Sequence, residues 1–341
     1  MDSTRTFPDE QWEYKDPETL GCSSEKLAKI ADWFTENAGD KPYRAIIVRN
    51  GYLVGEWCKD VAKDAKLPLA SAAKSLYSCM LAIAVAEGKI GSADDKVVDY
   101  YPEMMDVTED EGPKPGRYAF AKDRNLTFRQ LICNTSGYMK PGEEPGKVFH
   151  YQTFGMNILT HAIAKQYGNY DADEPERLLG CGKLIEEKIR DRIGGNWDYN
   201  YGNFKLQPNA KLGVFGYYTQ IHADAYDMAR MGYLWLNGGK WKDKSVVPAG
   251  WLEEAVGISA DVRTNCPENE WKYGHGFWSN AHGKIWHHLP RDSYAASGAG
   301  RKHIWVCPSL DLVVSQSPGI WENQTENDAG LLRLVVEACS G

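Results

Sequence analysis

The run Ser75 to Ala86 (Ser-Leu-Tyr-Ser-Cys-Met-Leu-Ala-Ile-Ala-Val-Ala) is apolar on every side of a helical wheel. That pattern predicts a helix enclosed by other elements, not one lying on a surface. At its head stands Ser71-Ala72-Ala73-Lys74. Residues three apart on a helix share a face, with Cβ atoms about 5–6 Å apart, so the lysine can reach the hydroxyl. An exposed lysine stays protonated and is no base, but one in a dry pocket sheds its charge readily. A serine at a helix N-terminus also has free backbone N–H groups nearby to meet a developing oxyanion.

A Ser-x-x-Lys is expected by chance about once in a chain of this length. A second copy, Ser23-Ser24-Glu25-Lys26, precedes the amphipathic Leu27 to Phe34. Its serines fit the role of helix caps, so Ser23 reads as structural. Composition then removes several classes of function. With 39 basic and 47 acidic residues the net charge is -8, and no basic cluster offers a phosphate backbone a footing. The eight cysteines are scattered without metal-like spacing, so neither a disulfide framework nor a metal site is indicated, and no cofactor is expected.

Two β-rich runs, Tyr43 to Arg49 and Tyr52 to Cys58, flank Asn50-Gly51, a strong hairpin signal. Helical patterns at Phe154 to Gln166 and Ala223 to Leu236 sit among long polar loops. Short aromatic and β-branched runs return at Gly276 to Ser279, Lys284 to His287, Ile304 to Cys307 and Leu312 to Ser315, and Asn327 to Ala338 reads as a closing helix. This order predicts an α+β fold of two lobes. Residues 1–90 and 245–341 form a lobe with an antiparallel sheet flanked by helices, 91–244 an inserted, mainly helical lobe, and the site lies between them.

Leu126 to Gly137, ending Cys133-Asn134-Thr135-Ser136-Gly137, resembles the "lT-x-r-x-L-L-x-H-T-S-G" segment of the serine β-lactamase superfamily. The likeness is to its class C β-lactamase, penicillin-binding esterase and 6-aminohexanoate-dimer hydrolase branch. Asn134 stands where that branch usually has histidine. Pro145 to Leu159 resembles the branch's "P-G-x-x-F-x-Y-S-N-x-G-Y-x-L-L", which puts Tyr151 on the catalytic tyrosine and Thr153 on an asparagine. The literal Tyr-x-Asn, Tyr201-Gly202-Asn203, lacks those flanks. Ser293 to Pro308 resembles the strand that carries a Lys/His-Thr-Gly in relatives. There Ala296-Ser297-Gly298 takes the motif's place, and the Ala299 N–H joins that of Ser71 as the oxyanion hole. Ala223 to Gly239 resembles a further, structural segment, and Tyr218 is expected to line the pocket.

The resemblance implies a β-lactamase-like fold and a serine hydrolase working through an acyl-enzyme. Ser71 is the expected nucleophile, Lys74 and Tyr151 the acid and base, and Ser297, Gly298, Ala299, Thr153 and Tyr218 the oxyanion and substrate contacts. The expected partner is a small-molecule ester or amide, with no nucleic acid and no membrane span; oligomeric state is left open. An ester is favoured, because alkoxide departure demands less exact protonation and the amide-recognising positions are altered. A β-lactamase or D-peptide amidase of the same superfamily is the alternative, and a catalytically degenerate penicillin-binding-like protein a second. The start, Met1 to Pro8, lacks the apolar core of a signal peptide, which implies a cytoplasmic protein as written, or a periplasmic or secreted one if trimmed.

Overall fold

The Asn50-Gly51 turn has positive φ at both residues, 53° and 83°, as a tight hairpin with right-twisted strands requires. This computed structural model describes residues 5–62, 64–177, 179–319 and 330–340. From the N-terminus run α1 (Ser24–Ala38), β1 (Tyr43–Arg49), β2 (Tyr52–Lys59), β3 (Leu67–Pro68) and α2 (Lys74–Ala86). The middle of the chain holds α3 (Phe128–Ile132), α4 (Phe154–Gln166), α5 (Gly180–Ile185), α6 (Asp191–Ile193), β4 (Asp198–Asn203), α7 (Leu212–Phe215), β5 (Tyr217–Ala223) and α8 (Ala225–Leu236). A small hairpin of β6 (Lys240–Trp241) and β7 (Lys244–Ser245) follows, then α9 (Trp251–Ala255), α10 (Ala260–Asn265), β8 (Trp278–Ser279), β9 (Tyr294–Gly298), β10 (Lys302–Cys307), β11 (Leu312–Gln316) and α11 (Gly330–Cys339).

β2-β1-β11-β10-β9-β8 form one antiparallel sheet, so the two ends of the chain build it together. Alternation along β1 sends Ala45 and Ile47 into a core with α1 and α11, and Ile46 and Val48 into a core with α2 and α8. Both faces are therefore covered, which is why Ala45 to Val48 is an unbroken apolar run. The expected enclosure of α2 is borne out: every residue from Lys74 to Ala84 is buried.

Three details depart from the sequence expectation. α8, from the segment assigned to the helical lobe, packs flush on the sheet. A Cβ on Gly232 would lie 2.5 Å from Val313 Cγ1 and 2.8 Å from Ile304 Cγ2, and Ser315 Oγ donates to the Ala225 carbonyl at 2.7 Å. Lys284 to His287 is not a strand. The Asn280 side chain accepts from the Trp286 N–H at 3.0 Å and donates to the carbonyls of Trp286, Leu289 and Pro290, satisfying locally the backbone groups a neighbouring strand would have used. Cys22 and Cys339 form a disulfide across 317 positions, where no disulfide was indicated, pinning the start of α1 to the end of α11. The closing helix begins at Gly330, and 327–329 of the expected span fall outside the described residues. No helix among the described residues is long and apolar enough to cross a membrane.

Candidate active site

Ser71 lies in a 3-10 turn, Ala70–Ala73, that runs into α2. The turn is fixed from two sides. Leu67 and Pro68 pair with Ala223 and His222 of β5, and Leu69 N–H donates to the Ile221 carbonyl at 2.8 Å. Ala70 is held at φ 49°, a left-handed conformation that costs a non-glycine residue on the order of 1 kcal/mol. From the other side the end of β9 presses on the turn. A Cβ at Gly298 would stand 2.0 Å from the Leu69 carbonyl oxygen and 2.9 Å from the Ala72 nitrogen, so only glycine fits. The exposed turn residue Ala299 follows directly.

Lys74 Nζ is 2.7 Å from Ser71 Oγ. Lys74 is 3% exposed, and burial pulls its ammonium down to about 7. Among the described residues no carboxylate pairs with it, so nothing restores the charge that burial disfavours. The Nζ also stands 4.9 Å from the centre of the Tyr151 ring.

Burial pushes the Tyr151 phenol up to about 12, with the neighbouring Ser71 hydroxyl drawing it the other way, so at neutral pH the side chain is a phenol. Its ring stacks on Trp278 at 5.5 Å and meets the edge of Tyr273 at 5.7 Å. Asn134 holds the segment that carries it. Its Oδ1 accepts from the Gln152 N–H, and its carbonyl accepts from the His150 N–H, each at 2.9 Å. Asn134 has φ 58°, a conformation asparagine tolerates better than most residues. Asn134, at the position where the resembled branch usually has histidine, is thus the latch for the segment that carries Tyr151.

Ser71, Lys74, Thr153 and Tyr218 line one cleft of about 220 Å3 together with Ala70, Tyr77, Met156, Asn157, Phe204, Thr219 and Gln220. Ser297 is not on this lining. Its Oγ is 2.8 Å from His303 Nδ1 on the neighbouring strand, and both are buried. Gly298 and Ala299 are likewise off the lining and meet the site through the Ser71 turn. Ala296, in the place of the motif's cation, is buried in the core. The competing Tyr201 is not on the lining: a Cβ at Gly180 would fall on its hydroxyl, which lies against the start of α5.

Residues that local reading missed come from two places. Tyr77 is one turn beyond Lys74 on the same helix face, and its hydroxyl donates to the Thr219 carbonyl at 2.8 Å, tying α2 to β5. That spacing was available in the sequence. Phe204 and Gln220 are brought in by the β4–β5 pairing, which no local spacing reveals. A larger cavity, about 520 Å3, lies between Pro8–Glu10 and the β6–β7 hairpin, but it holds no nucleophile next to a base.

A family model described as β-lactamase matches residues 43–316. Beta-lactamase-like protein 1 of Dictyostelium discoideum is 33% identical over 112 residues, covering 30% of this chain and 17% of that protein. The match thus takes in less than a fifth of that relative. A candidate β-lactamase structure from Bacteroides dorei superposes with a TM-score of 0.67 at 14% identity, covering 93% of this chain and 99% of that one. A family VIII carboxylesterase gives a TM-score of 0.64 at 16% identity, covering 94% and 98%. At such identities the likeness to the solved structures is one of fold.

Proposed function

The chain belongs to the β-lactamase family, and from that membership we propose that it is a serine hydrolase acting through an acyl-enzyme on small esters. The observation that carries this reading is the 2.7 Å approach of Ser71 Oγ to a lysine that burial brings to about 7. A neutral Lys74 takes the proton of the Ser71 hydroxyl as Oγ bonds to the acyl carbon. The charge gathering on the carbonyl oxygen is met by the backbone N–H groups of Ser71 and Ala299. Collapse breaks the acyl–oxygen bond, and the alcohol leaves with a proton relayed from Lys74 through the Tyr151 phenol. Water then attacks the acyl carbon and gives up its proton along the same relay. The acid departs and Ser71 regains its hydroxyl.

An ester fits this cleft better than a β-lactam. A β-lactam carboxylate calls for a fixed cation, and apart from Lys74 the lining carries no charged side chain.

The test is the initial rate on a short-chain nitrophenyl ester and on a chromogenic cephalosporin, each repeated with Ser71→Ala. Ester turnover that falls at least about a thousandfold in Ser71→Ala, with little cephalosporin turnover, is expected. Ester hydrolysis undiminished in Ser71→Ala, or preference for the cephalosporin, would refute the assignment.

A further inference from the structure

We propose that the wall of the cleft built by β5 is a platform for a neutral, hydroxyl-rich ring, so that the esters cleaved are those of a sugar or cyclic polyol. The inference rests on the ester hydrolase reading above and narrows its substrate. Three observations carry it.

The first is an aromatic plane. Tyr218 sits opposite Gly202 in the β4–β5 pair, and a Cβ at Gly202 would stand 2.5 Å from Tyr218 Cζ and 2.8 Å from Cε2. The ring is therefore laid over bare backbone, with Phe204 tilted against it at 4.9 Å, and it forms part of the cleft wall. The C–H face of a saturated ring packs well on such a surface.

The second is a set of hydrogen-bonding groups that the protein leaves open to the cleft. Gln220 lines the cleft two residues along β5, on the same strand face as Tyr218. Among the described residues the Gln220 carboxamide, the Tyr218 hydroxyl and the Thr153 hydroxyl have no protein hydrogen-bond partner. A carboxamide offers two donors and an acceptor, and each hydroxyl both donates and accepts. Alternating hydroxyls on a ring satisfy such groups, whereas a plain alkyl ester would strip them of water and leave them unpaired.

The third is charge. Lys74, the one charged side chain on the lining, is engaged with Ser71, so neither an anionic nor a cationic ring finds a counter-charge. Neutral hydroxyls meet all three conditions.

The experiment compares methyl 6-O-acetylglucopyranoside with cyclohexylmethyl acetate, two primary acetates on six-membered rings that differ in their hydroxyls, alongside nitrophenyl acetate. The sugar ester is expected to have the higher kcat/KM by about tenfold or more. Gln220→Leu is expected to reduce that ratio about tenfold, mainly through KM, and Gln220→Asn, which keeps the carboxamide, to retain part of it. A purely structural role for Gln220 would lower both ring esters alike and leave the ratio where it was. An equal rate on the two ring esters, a ratio unmoved by Gln220→Leu, or turnover of nitrophenyl acetate alone would overturn the platform. If none of the three esters is cleaved, the ester hydrolase reading falls and the platform with it.

Discussion

Lys74 loses its solvation to burial and gains no counter-ion among the described residues, and that imbalance holds its ammonium at about 7, where the base of the proposed mechanism has to titrate. The sign of the resulting pH dependence follows. A lysine depressed to about 7 is protonated and inert below that value and neutral above it, so kcat/KM should rise with pH through about 7 and level off above it. Tyr151, pushed up to about 12, stays a phenol across this range and adds no second limb there. A profile that falls with pH between 6 and 8, or shows no limb near 7, would separate the activity from Lys74. At this scale the sequence was informative where chemistry is local. Ser71 and Lys74 stand one turn apart, and the motif flanking Tyr151 marks a ring that the fold brings over Lys74 Nζ. Residue identity shows Asn134 only as an asparagine where the family usually has histidine. Its role as a latch depends on a left-handed backbone and on the Gln152 amide meeting its side chain, and neither shows in residue identities.

Among the elements, α2 was legible because a helix apolar all round has only one place to go. The hairpin was legible because Asn-Gly supplies the two positive φ values its turn needs. The end of β9 was less so. Its motif could be aligned, but the reason for Gly298 appears only when the strand is seen against the Ser71 turn, where a single Cβ would collide with the Leu69 carbonyl. Gly298→Ala should therefore displace the turn that carries Ser71, the proposed nucleophile, and lower kcat by about a hundredfold, the scale of effect expected from misplacing reacting groups by about 1 Å. The measurement is kcat on nitrophenyl acetate beside the melting temperature. Full activity in a folded Gly298→Ala protein would show that β9 does not set the position of Ser71. The Lys284 to His287 segment shows the opposite limit: its composition suits a strand, and one buried asparagine side chain takes the bonds a strand would make.

For the whole molecule, the hairpin and the late strands are halves of one sheet, as their β-rich patterns at the two ends of the chain suggest. What joins distant parts was not. The Cys22–Cys339 pair spans nearly the whole sequence, and cysteine spacing says nothing about such a contact. Likewise, α8 belongs by sequence to the inserted segment and by packing to the sheet, and the cleft wall of Phe204, Tyr218 and Gln220 exists only through the β4–β5 pairing. In the proposed mechanism this architecture makes Ser71 the nucleophile and Lys74 its base. That assignment is tested most directly by treating the protein with a fluorophosphonate ester and locating the adduct by peptide mass spectrometry. One adduct is expected, on Ser71, absent in Ser71→Ala and formed far more slowly in Lys74→Ala. Labelling at another residue, or labelling that persists in Ser71→Ala, would contradict it.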